Sequence, residues 1–222
     1  MLGLDGCPGG WAGVLVSDTE ALWRRYDGWG DGLRAALAEP VDLVAIDIPI
    51  GLPAPGTARA CDVLARKLLG PRRSSVFSAP PRALLSAADH RAANALAREL
   101  TGRGISIQAF GIYGRIAAVD TVVTPATQTR LVEIHPELAF RELAGDVGTK
   151  HDAAGLNRRE TALRQALPPF DLTERPPRVR RDDALDALAC AWSARRWLAG
   201  TAVLVPGDPP RDERGLFQGI AG

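Results

Sequence analysis

The chain has 222 residues, of which 46% are hydrophobic and 24% are charged, and its formal net charge is +1. This length allows one large domain with a sizeable core, and the composition is typical of globular proteins, which excludes a disordered or fibrous chain. The small net charge excludes a global attraction to nucleic acid or to membranes, so a polyanion site has to come from local clusters of arginine.

The cysteines indicate a reducing environment. The 3 cysteines, Cys7, Cys61 and Cys190, are far apart and odd in number, which favours neither a disulfide framework nor a zinc site. The N-terminus enters a strand-like segment directly, without the basic and apolar regions of a signal peptide. No apolar run reaches the roughly 18 residues that span a membrane. We therefore expect a cytoplasmic protein with no membrane partner.

The first part of the chain predicts strands. Residues 2–5, 11–16 and 21–26 are predicted to form an antiparallel meander, in which Cys7-Pro8-Gly9-Gly10 makes the first turn. Residues 31–37 have helical spacing. Residues 41–48 form a mostly apolar run that is typical of a strand buried on both faces of a parallel or mixed sheet. Pro49 and Gly51 end this strand.

The rest of the chain is predicted to be mainly helical. Helices are predicted at residues 58–69, 81–100, 105–118, 157–167 and 182–198, and strands at 130–134 and 202–205. No segment is long enough to serve as a clear domain linker. The pattern predicts one domain over residues 1–205 with a helical insertion at about 52–125, followed by a loosely held Gly- and Pro-rich tail over 206–222.

Two aspartates lie at the ends of predicted core strands. Asp5 comes just before the first tight turn, and Asp47 lies near the end of the apolar strand. A charge inside a buried strand is costly unless it is paired, hydrogen-bonded or bound to a cation. Two adjacent carboxylates repel each other, and a divalent cation removes that repulsion. The alternative is that each aspartate begins a turn and accepts backbone N–H bonds.

The final predicted helix carries three more aspartates, Asp182, Asp183 and Asp186. They share one flank of the helix, beside its apolar face. The next residues along this flank are small, namely Ala187, Cys190 and Ser193. This pattern predicts close packing against the edge of a sheet. Capping and the helix dipole also explain Asp182 and Asp183, but they explain Asp186 less well because it lies beyond the first turn.

The segments that contain these aspartates resemble one known family. They are Leu4-Asp5-Gly6-Cys7-Pro8-Gly9-Gly10-Trp11, Ile46-Asp47-Ile48-Pro49-Ile50-Gly51-Leu52 and Asp182-Asp183-Ala184-Leu185-Asp186-Ala187. Two further segments also resemble its signatures, Gly70-Pro71-Arg72-Arg73-Ser74-Ser75-Val76-Phe77-Ser78 and Glu133-Ile134-His135-Pro136-Glu137. The family consists of uncharacterised prokaryotic proteins of unknown function that are grouped with the RNase H-like superfamily as predicted nucleases. The resemblance extends to about residue 198.

The resemblance implies an α/β fold of the RNase H-like type. Its mixed sheet would combine an antiparallel three-strand meander with parallel strands, and helices would flank it. Such nucleases carry one aspartate on the first strand and a second acid on the fourth, and the resolvase-like branch adds acids on the last helix. Asp5, Asp47, Asp183 and Asp186 match these positions as catalytic metal ligands. Glu133, on the fifth strand, is a candidate for a further ligand.

A nuclease of this type would hold two Mg²⁺ or Mn²⁺ ions between the carboxylates. One ion would activate a water molecule for in-line attack on a phosphodiester, and the other would stabilise the leaving oxygen. The partner would be a nucleic acid or nucleotide substrate. Arg72 and Arg73, with Ser74 and Ser75, are candidates for holding flanking phosphates, because a guanidinium binds phosphate through paired hydrogen bonds. The alternative for these residues is a solvated loop.

Other polar residues near these segments have candidate roles. His135 and His151 are candidate proton carriers, although a histidine before proline is more often structural. Glu137 is either another ligand or a cap for the helix that follows. A second basic patch lies before the final helix and consists of Arg175, Arg178, Arg180 and Arg181.

Two other classes of function compete with the nuclease. A non-catalytic binding protein could use the same fold with structural carboxylates, since fold does not determine function. An ATP-using enzyme of the actin or sugar-kinase type would place a phosphate loop at Gly6-Cys7-Pro8-Gly9-Gly10. That fold duplicates its domain, however, and 222 residues are too few for two full copies. We therefore rank the nuclease first, the binding protein second and the ATP-using enzyme third.

Overall fold

Five strands form the central sheet. They are β1 (Leu2–Cys7), β2 (Gly10–Val16), β3 (Ala21–Asp27), β4 (Val44–Ile46) and β5 (Leu131–Glu133). The computed structural model describes all 222 residues. The strand order is β3-β2-β1-β4-β5. The first three strands are antiparallel, whereas β4 is parallel to β1 and to β5. The sheet is therefore mixed, with the predicted meander on one side.

Eight helices flank this sheet. They are α1 (Gly30–Leu37), α2 (Ala60–Leu69), α3 (His90–Thr101), α4 (Ile107–Phe110), α5 (Tyr113–Val122), α6 (Pro136–Ala144), α7 (Ala153–Ala166) and α8 (Arg181–Leu198). Side chains of α6, α7 and α8 form a core on one face of the sheet, and side chains of α1 and α5 form a core on the other. The fold is therefore α/β. None of the helices is long and apolar enough to cross a membrane.

The alternation of side chains along the strands separates the two cores. Leu4 of β1 and Ile46 of β4 belong to the core with α1 and α5. Ala45 of β4 belongs to the core with α8, and Gly3 of β1 lies against α8. Because successive residues of a strand point to opposite faces, residues 5 and 47 are expected on the same side as α8.

Two predicted helices are each divided in the structure. Residues 81–100 contain a 3₁₀ helix (Arg82–Ser86) and then α3, which begins after Asp89. The Asp89 carboxylate accepts the N–H of Ala92 at 2.8 Å, so it caps a new helix. Residues 105–118 contain the whole of one short helix, α4, and most of α5, with Gly111 between them. The predicted insertion is helical, but its helices are shorter than the sequence pattern indicates.

The C-terminal residues 206–222 are packed, which differs from the loosely held tail that the sequence predicts. Strand β7 (Ile220–Ala221) pairs with β6 (Leu204–Val205), and Leu216 is buried. The Asp212 carboxylate accepts the N–H groups of Leu52, at 3.1 Å, and of Leu216, at 3.0 Å. The Gly and Pro residues of this segment therefore form ordered turns, which are held by a few buried apolar side chains and one carboxylate.

Helix α8 approaches the central strand β1 very closely. A Cβ atom at Gly3 would overlap the carbonyl oxygen of Ala187 and the backbone nitrogen of Ala191. The α8 side of this contact is made by small residues, so the helix backbone lies directly on the strand. Only glycine allows this distance at residue 3.

We expect Gly3→Ala to destabilise the protein strongly. The new Cβ would meet backbone atoms of α8, which move only if the helix shifts, so the free energy of unfolding should fall by about 3 kcal/mol. Gly114→Ala is the matched control, because a Cβ there meets nothing within 4 Å. Alanine at this helical position should be neutral or stabilising by up to about 1 kcal/mol. Urea unfolding measures both variants, and unchanged stability in Gly3→Ala would contradict the close contact.

Candidate functional site

Asp5 and Asp47 lie side by side because β1 and β4 are parallel neighbours. Leu4 pairs with Ile46, and the N–H of Asp47 donates to the carbonyl oxygen of Leu4 at 3.0 Å. The pairing therefore continues one residue beyond β4. Since the two strands run in the same direction, both aspartates lie at the carboxyl-terminal end of their strands, and both side chains point toward α8.

Helix α8 adds a third carboxylate to this pair. Asp186 lies on the turn of α8 that approaches β1, and it is 2% exposed. One carboxylate oxygen each from Asp5, Asp47 and Asp186 lie within 4.8 Å of one another. We call these three residues the aspartate cluster. Three elements that are distant in sequence thus bring their carboxylates to one point.

The pKa values of all three carboxyl groups are raised. Burial is the largest cause in each case, because the charged form loses contact with water. The charges of Asp186 and Asp47 raise the pKa of Asp5 further, to well above its ordinary value. The positive charge of Lys150 opposes the rise in all three pKa values. The cluster therefore resists full ionisation unless more positive charge is added.

Lys150 supplies one positive charge to the cluster. It lies in the loop between α6 and α7, and its Nζ donates to Oδ2 of Asp186 at 2.6 Å. Burial alone would lower the pKa of Lys150, but the charges of Asp186, Asp5 and Asp47 raise it above its ordinary value. Lys150 therefore stays protonated and compensates one of the carboxylates.

The donors of the aspartate cluster fit a hard divalent cation. All of the clustered ligand atoms are carboxylate oxygens, and carboxylate oxygens suit Mg²⁺ and Mn²⁺, whereas zinc sites usually include sulfur or nitrogen donors. Lys150 balances only one of the three negative charges. A divalent cation would balance the other two.

The aspartate cluster lines a cavity of about 190 Å³. Polar side chains from other elements also line it, among them Ser75, Arg115, His135 and Lys150. The cavity is large enough for a small ligand group, such as a phosphate, to lie next to the carboxylates. Its lining combines acidic, basic and neutral polar groups.

A family model matches residues 3–211, a range that contains the whole aspartate cluster. The chain belongs to the family described as "Protein of unknown function (DUF429)". No curated protein and no solved structure matches the chain. Because the family description assigns no activity, a function has to be argued from the site itself.

In this DUF429 protein, Glu133 does not join the aspartate cluster, although the sequence analysis names it as a candidate ligand. Glu133 pairs with Ile46, so its side chain points to the sheet face opposite that of Asp47. There, each of its carboxylate oxygens accepts a hydrogen bond from Arg59 at 2.7 Å. Arg59 also pairs with Asp62. Glu133 is therefore part of a buried ion pair on the other face.

Of the three aspartates at the start of α8, only Asp186 reaches the cluster. The Asp183 carboxylate accepts the N–H of Arg180 at 3.2 Å and caps the helix, and Asp182 pairs with the Arg180 side chain at 2.8 Å. Asp183 is thus separate from the clustered ligands. The small flank of α8 packs on β1, which is the central strand and not a sheet edge as the sequence predicts.

The four residues that the sequence offers for binding substrate phosphates, Arg72, Arg73, Ser74 and Ser75, occupy different environments in the structure. Arg72 pairs with Glu137 at 2.9 Å, so its guanidinium is already engaged. Ser75 lines the cavity, and its hydroxyl donates to the carbonyl oxygen of Arg72 at 2.8 Å. Arg73 and Ser74 are exposed and lie outside the cavity lining. Of these four residues, the structure therefore brings only Ser75 to the cavity that the aspartate cluster lines.

The two candidate histidines also differ. His135 lines the cavity, with its Nε2 3.3 Å from the carbonyl oxygen of Ser75, and its Nδ1 is buried without a hydrogen-bond partner. His151 is exposed and outside the lining. Most of the predicted basic patch makes internal contacts, through Arg175, Arg180 and Arg181.

Three charged residues around the site were not predicted from the sequence, namely Lys150, Arg59 and Arg115. Lys150 lies in an irregular loop, where no periodic pattern relates it to α8. Arg115 lies on α5, which approaches the cavity from the opposite core. The sequence does contain an indication of the role of Arg59. A glutamate inside an apolar strand requires a buried cation as its partner, and Arg59 and Asp62 have the spacing of a helical ion pair.

We expect Asp5→Asn to raise the thermal midpoint of the metal-free protein. The pKa of the Asp5 carboxyl group is raised in the folded state. The stability that this group contributes is therefore fully present below its pKa in the unfolded chain, about 3.9, and is lost as the pH rises through the raised pKa of the folded state. Asparagine avoids this penalty at neutral pH, and about 1 kcal/mol raises the midpoint by roughly 2–4 °C at this size. Asp18→Asn, at a carboxylate that is 91% exposed, is the control. A lowered midpoint in Asp5→Asn would contradict the assignment.

We expect Glu133→Gln to have the opposite effect. Arg59 is buried, and glutamine would leave its guanidinium with Asp62 as its one acidic partner. Removing one partner of a buried ion pair costs about 3–5 kcal/mol. Denaturant unfolding compares this variant with Asp5→Asn, which also neutralises a buried acid. If both variants stabilise the protein, Glu133 is not the structural partner of Arg59.

Proposed function

We propose that this protein is a divalent-metal-dependent nuclease that hydrolyses phosphodiester bonds in a nucleic acid or a nucleotide. The observation that carries this proposal is the convergence of Asp5, Asp47 and Asp186, with carboxylate oxygens within 4.8 Å of one another beside a cavity. Carboxylates arranged in this way can hold the metal ions that stabilise the charged groups of phosphoryl transfer.

The arrangement of the strands supports assigning the fold to the RNase H-like class. An antiparallel β1-β2-β3 meander continues into parallel strands at β4 and β5. Asp5 lies on the first strand, Asp47 directly after the fourth, and Asp186 on the last long helix. These are the positions that the resemblance to RNase H-like nucleases implies for metal ligands.

The residues of the cavity support distinct roles in such a reaction. The aspartate cluster would hold Mg²⁺ or Mn²⁺ in a two-metal mechanism, and the bound ions would supply Lewis acidity and an activated water molecule. Lys150 holds a positive charge beside the cluster, where it offsets the charge of Asp186. His135 can hold or take a proton at Nδ1, which has no partner in the protein.

The proposed location of this activity is the cytoplasm. All three cysteines are unpaired and buried, which is the usual state of cysteines in a reducing compartment.

We expect Mn²⁺ to bind the wild-type protein and to bind Asp47→Asn at least about tenfold more weakly, because asparagine keeps the shape but removes the charge that the ion needs. The pKa values of the cluster are raised, so protons compete with the ion over a wider pH range. Affinity should therefore increase with pH and binding should release protons. Calorimetry in buffers of different ionisation enthalpy measures both effects.

The same variants test catalysis with bis(p-nitrophenyl) phosphate and with a single-stranded oligonucleotide. Asp18→Asn is the matched control, because it removes a carboxylate that is 91% exposed. Metal-dependent hydrolysis by the wild type and the control, but not by Asp47→Asn, is the expected result. If the wild type binds no Mn²⁺ at millimolar concentration, the metal site is wrong and the non-catalytic binding protein becomes the better interpretation.

A further inference from the structure

Arg115 is the one arginine or lysine of the cavity lining without a partner. Its guanidinium makes no hydrogen bond and no salt bridge with the protein, although the side chain is half-buried and lines the cavity. The other two cations of the lining are both paired, Lys150 with Asp186 and Arg59 with Glu133. A guanidinium that lines the cavity and has no anionic partner is available for an anionic ligand.

The Arg115 guanidinium is held in place before any ligand binds. Its Cζ lies 4.7 Å from the ring centroid of Trp29, a cation–π contact. Its Nη1 lies close to the backbone of β1, where a Cβ at Gly6 would be 2.6 Å away. Residue 6 points to the face of β1 opposite that of Asp5, so Arg115 lines the same cavity as the aspartate cluster from the α5 side without pairing with it. Little conformational entropy remains to be lost when an anion binds.

We propose that Arg115 binds a phosphate group of the substrate beside the aspartate cluster, so that the ligand of this cavity is a phosphate ester. The inference deepens the proposed function and rests on it for the reaction at the bound phosphate. A guanidinium recognises a phosphate through two parallel hydrogen bonds. Arg115 thereby takes the place that the sequence assigns to Arg72, whose guanidinium is paired with Glu137.

The charges of the cavity make phosphate binding dependent on a cation. The carboxylates of Asp5, Asp47 and Asp186 would repel a phosphate, and Lys150 compensates only one of them. A divalent cation on the cluster reverses this repulsion. Metal and phosphate should therefore strengthen each other's binding, and the coupling has to be reciprocal.

The cavity also has room for the organic part of an ester. A second cavity, of about 600 Å³, shares Val76 and Phe77 with the first as lining residues. Phe77 is 40% exposed. An ester with its phosphate at Arg115 would therefore have a second cavity beside it for its organic part.

The test uses dimethyl phosphate, the smallest phosphodiester, titrated by calorimetry into protein saturated with Mg²⁺. We expect binding to the wild type and binding about tenfold weaker or more in Arg115→Gln, which loses the charge and the paired donors. Arg115→Lys keeps the charge and should recover only part of the affinity. Arg91→Gln is the control, because Arg91 is exposed and outside both cavity linings.

Two further measurements separate this inference from the proposed function. Mg²⁺ binding without dimethyl phosphate should be the same in Arg115→Gln and the wild type, because Arg115 does not pair with the carboxylates. Gly6→Ala keeps Arg115 but displaces its guanidinium, so it should also weaken dimethyl phosphate binding. Equal binding of dimethyl phosphate by wild type and Arg115→Gln, or no binding by the wild type at about 50 mM, would overturn the inference. Loss of the metal site would instead appear as absent Mn²⁺ binding in the wild type.

Discussion

The contact between α8 and β1 determines where the acidic side chains meet. Because Gly3 has no side chain, the backbone of α8 at Ala187 and Ala191 lies directly on the central strand. Asp186 precedes Ala187 and Asp5 comes two residues after Gly3, so the same approach brings their carboxylates together. A larger residue at Gly3 would move the helix outward and separate them. Packing and the geometry of the site therefore depend on one contact.

The two faces of the sheet bury acidic groups in opposite ways. On one face, both carboxylate oxygens of Glu133 accept hydrogen bonds from Arg59, which also pairs with Asp62, so each carboxylate there has a direct cationic partner within the protein. On the other face, Lys150 is the sole ammonium bound to the aspartate cluster. In the first arrangement, removing either Arg59 or Glu133 would leave a buried charge without its partner. The second leaves negative charge without compensation in a cavity, which is typical of a site that binds a cation.

The sequence predicts the fold where its signals are local. The meander and the apolar strand before Pro49 follow from alternation and turn residues, and Asp5 and Asp47 stand out because charges are rare in such strands. The acidic flank of α8 is also visible, but the pattern does not show that Asp186 alone points inward, since that depends on how the helix lies on Gly3. The face of Glu133 depends on the register of β5 with β4, which no local pattern specifies.

Residues that reach the site from loops and from the opposite core could not be predicted. Lys150 and Arg115 are far in sequence from the aspartates, and their positions follow from the way that the loop before α7 and helix α5 pack. The ordered tail was also missed, because composition does not show that Asp212 binds the backbone of Leu52 and Leu216. Composition describes a segment's average tendency, whereas one buried acceptor can hold it in place.

The charges around the cavity bear on how much of a substrate the site contacts. A long nucleic acid is held by many phosphate contacts from free lysines and arginines, and each contact adds to the salt dependence of binding. Here two of the arginines that the sequence offers for this role are engaged within the protein, Arg72 with Glu137 and Arg181 with Glu160, and two others, Arg73 and Arg178, are exposed and lie outside the cavity lining. With a net charge of +1, the molecule also provides no general attraction for a polyanion. In the proposed site, recognition would rest on Arg115 and the aspartate cluster, an arrangement suited to one or two phosphate groups and less to a long backbone.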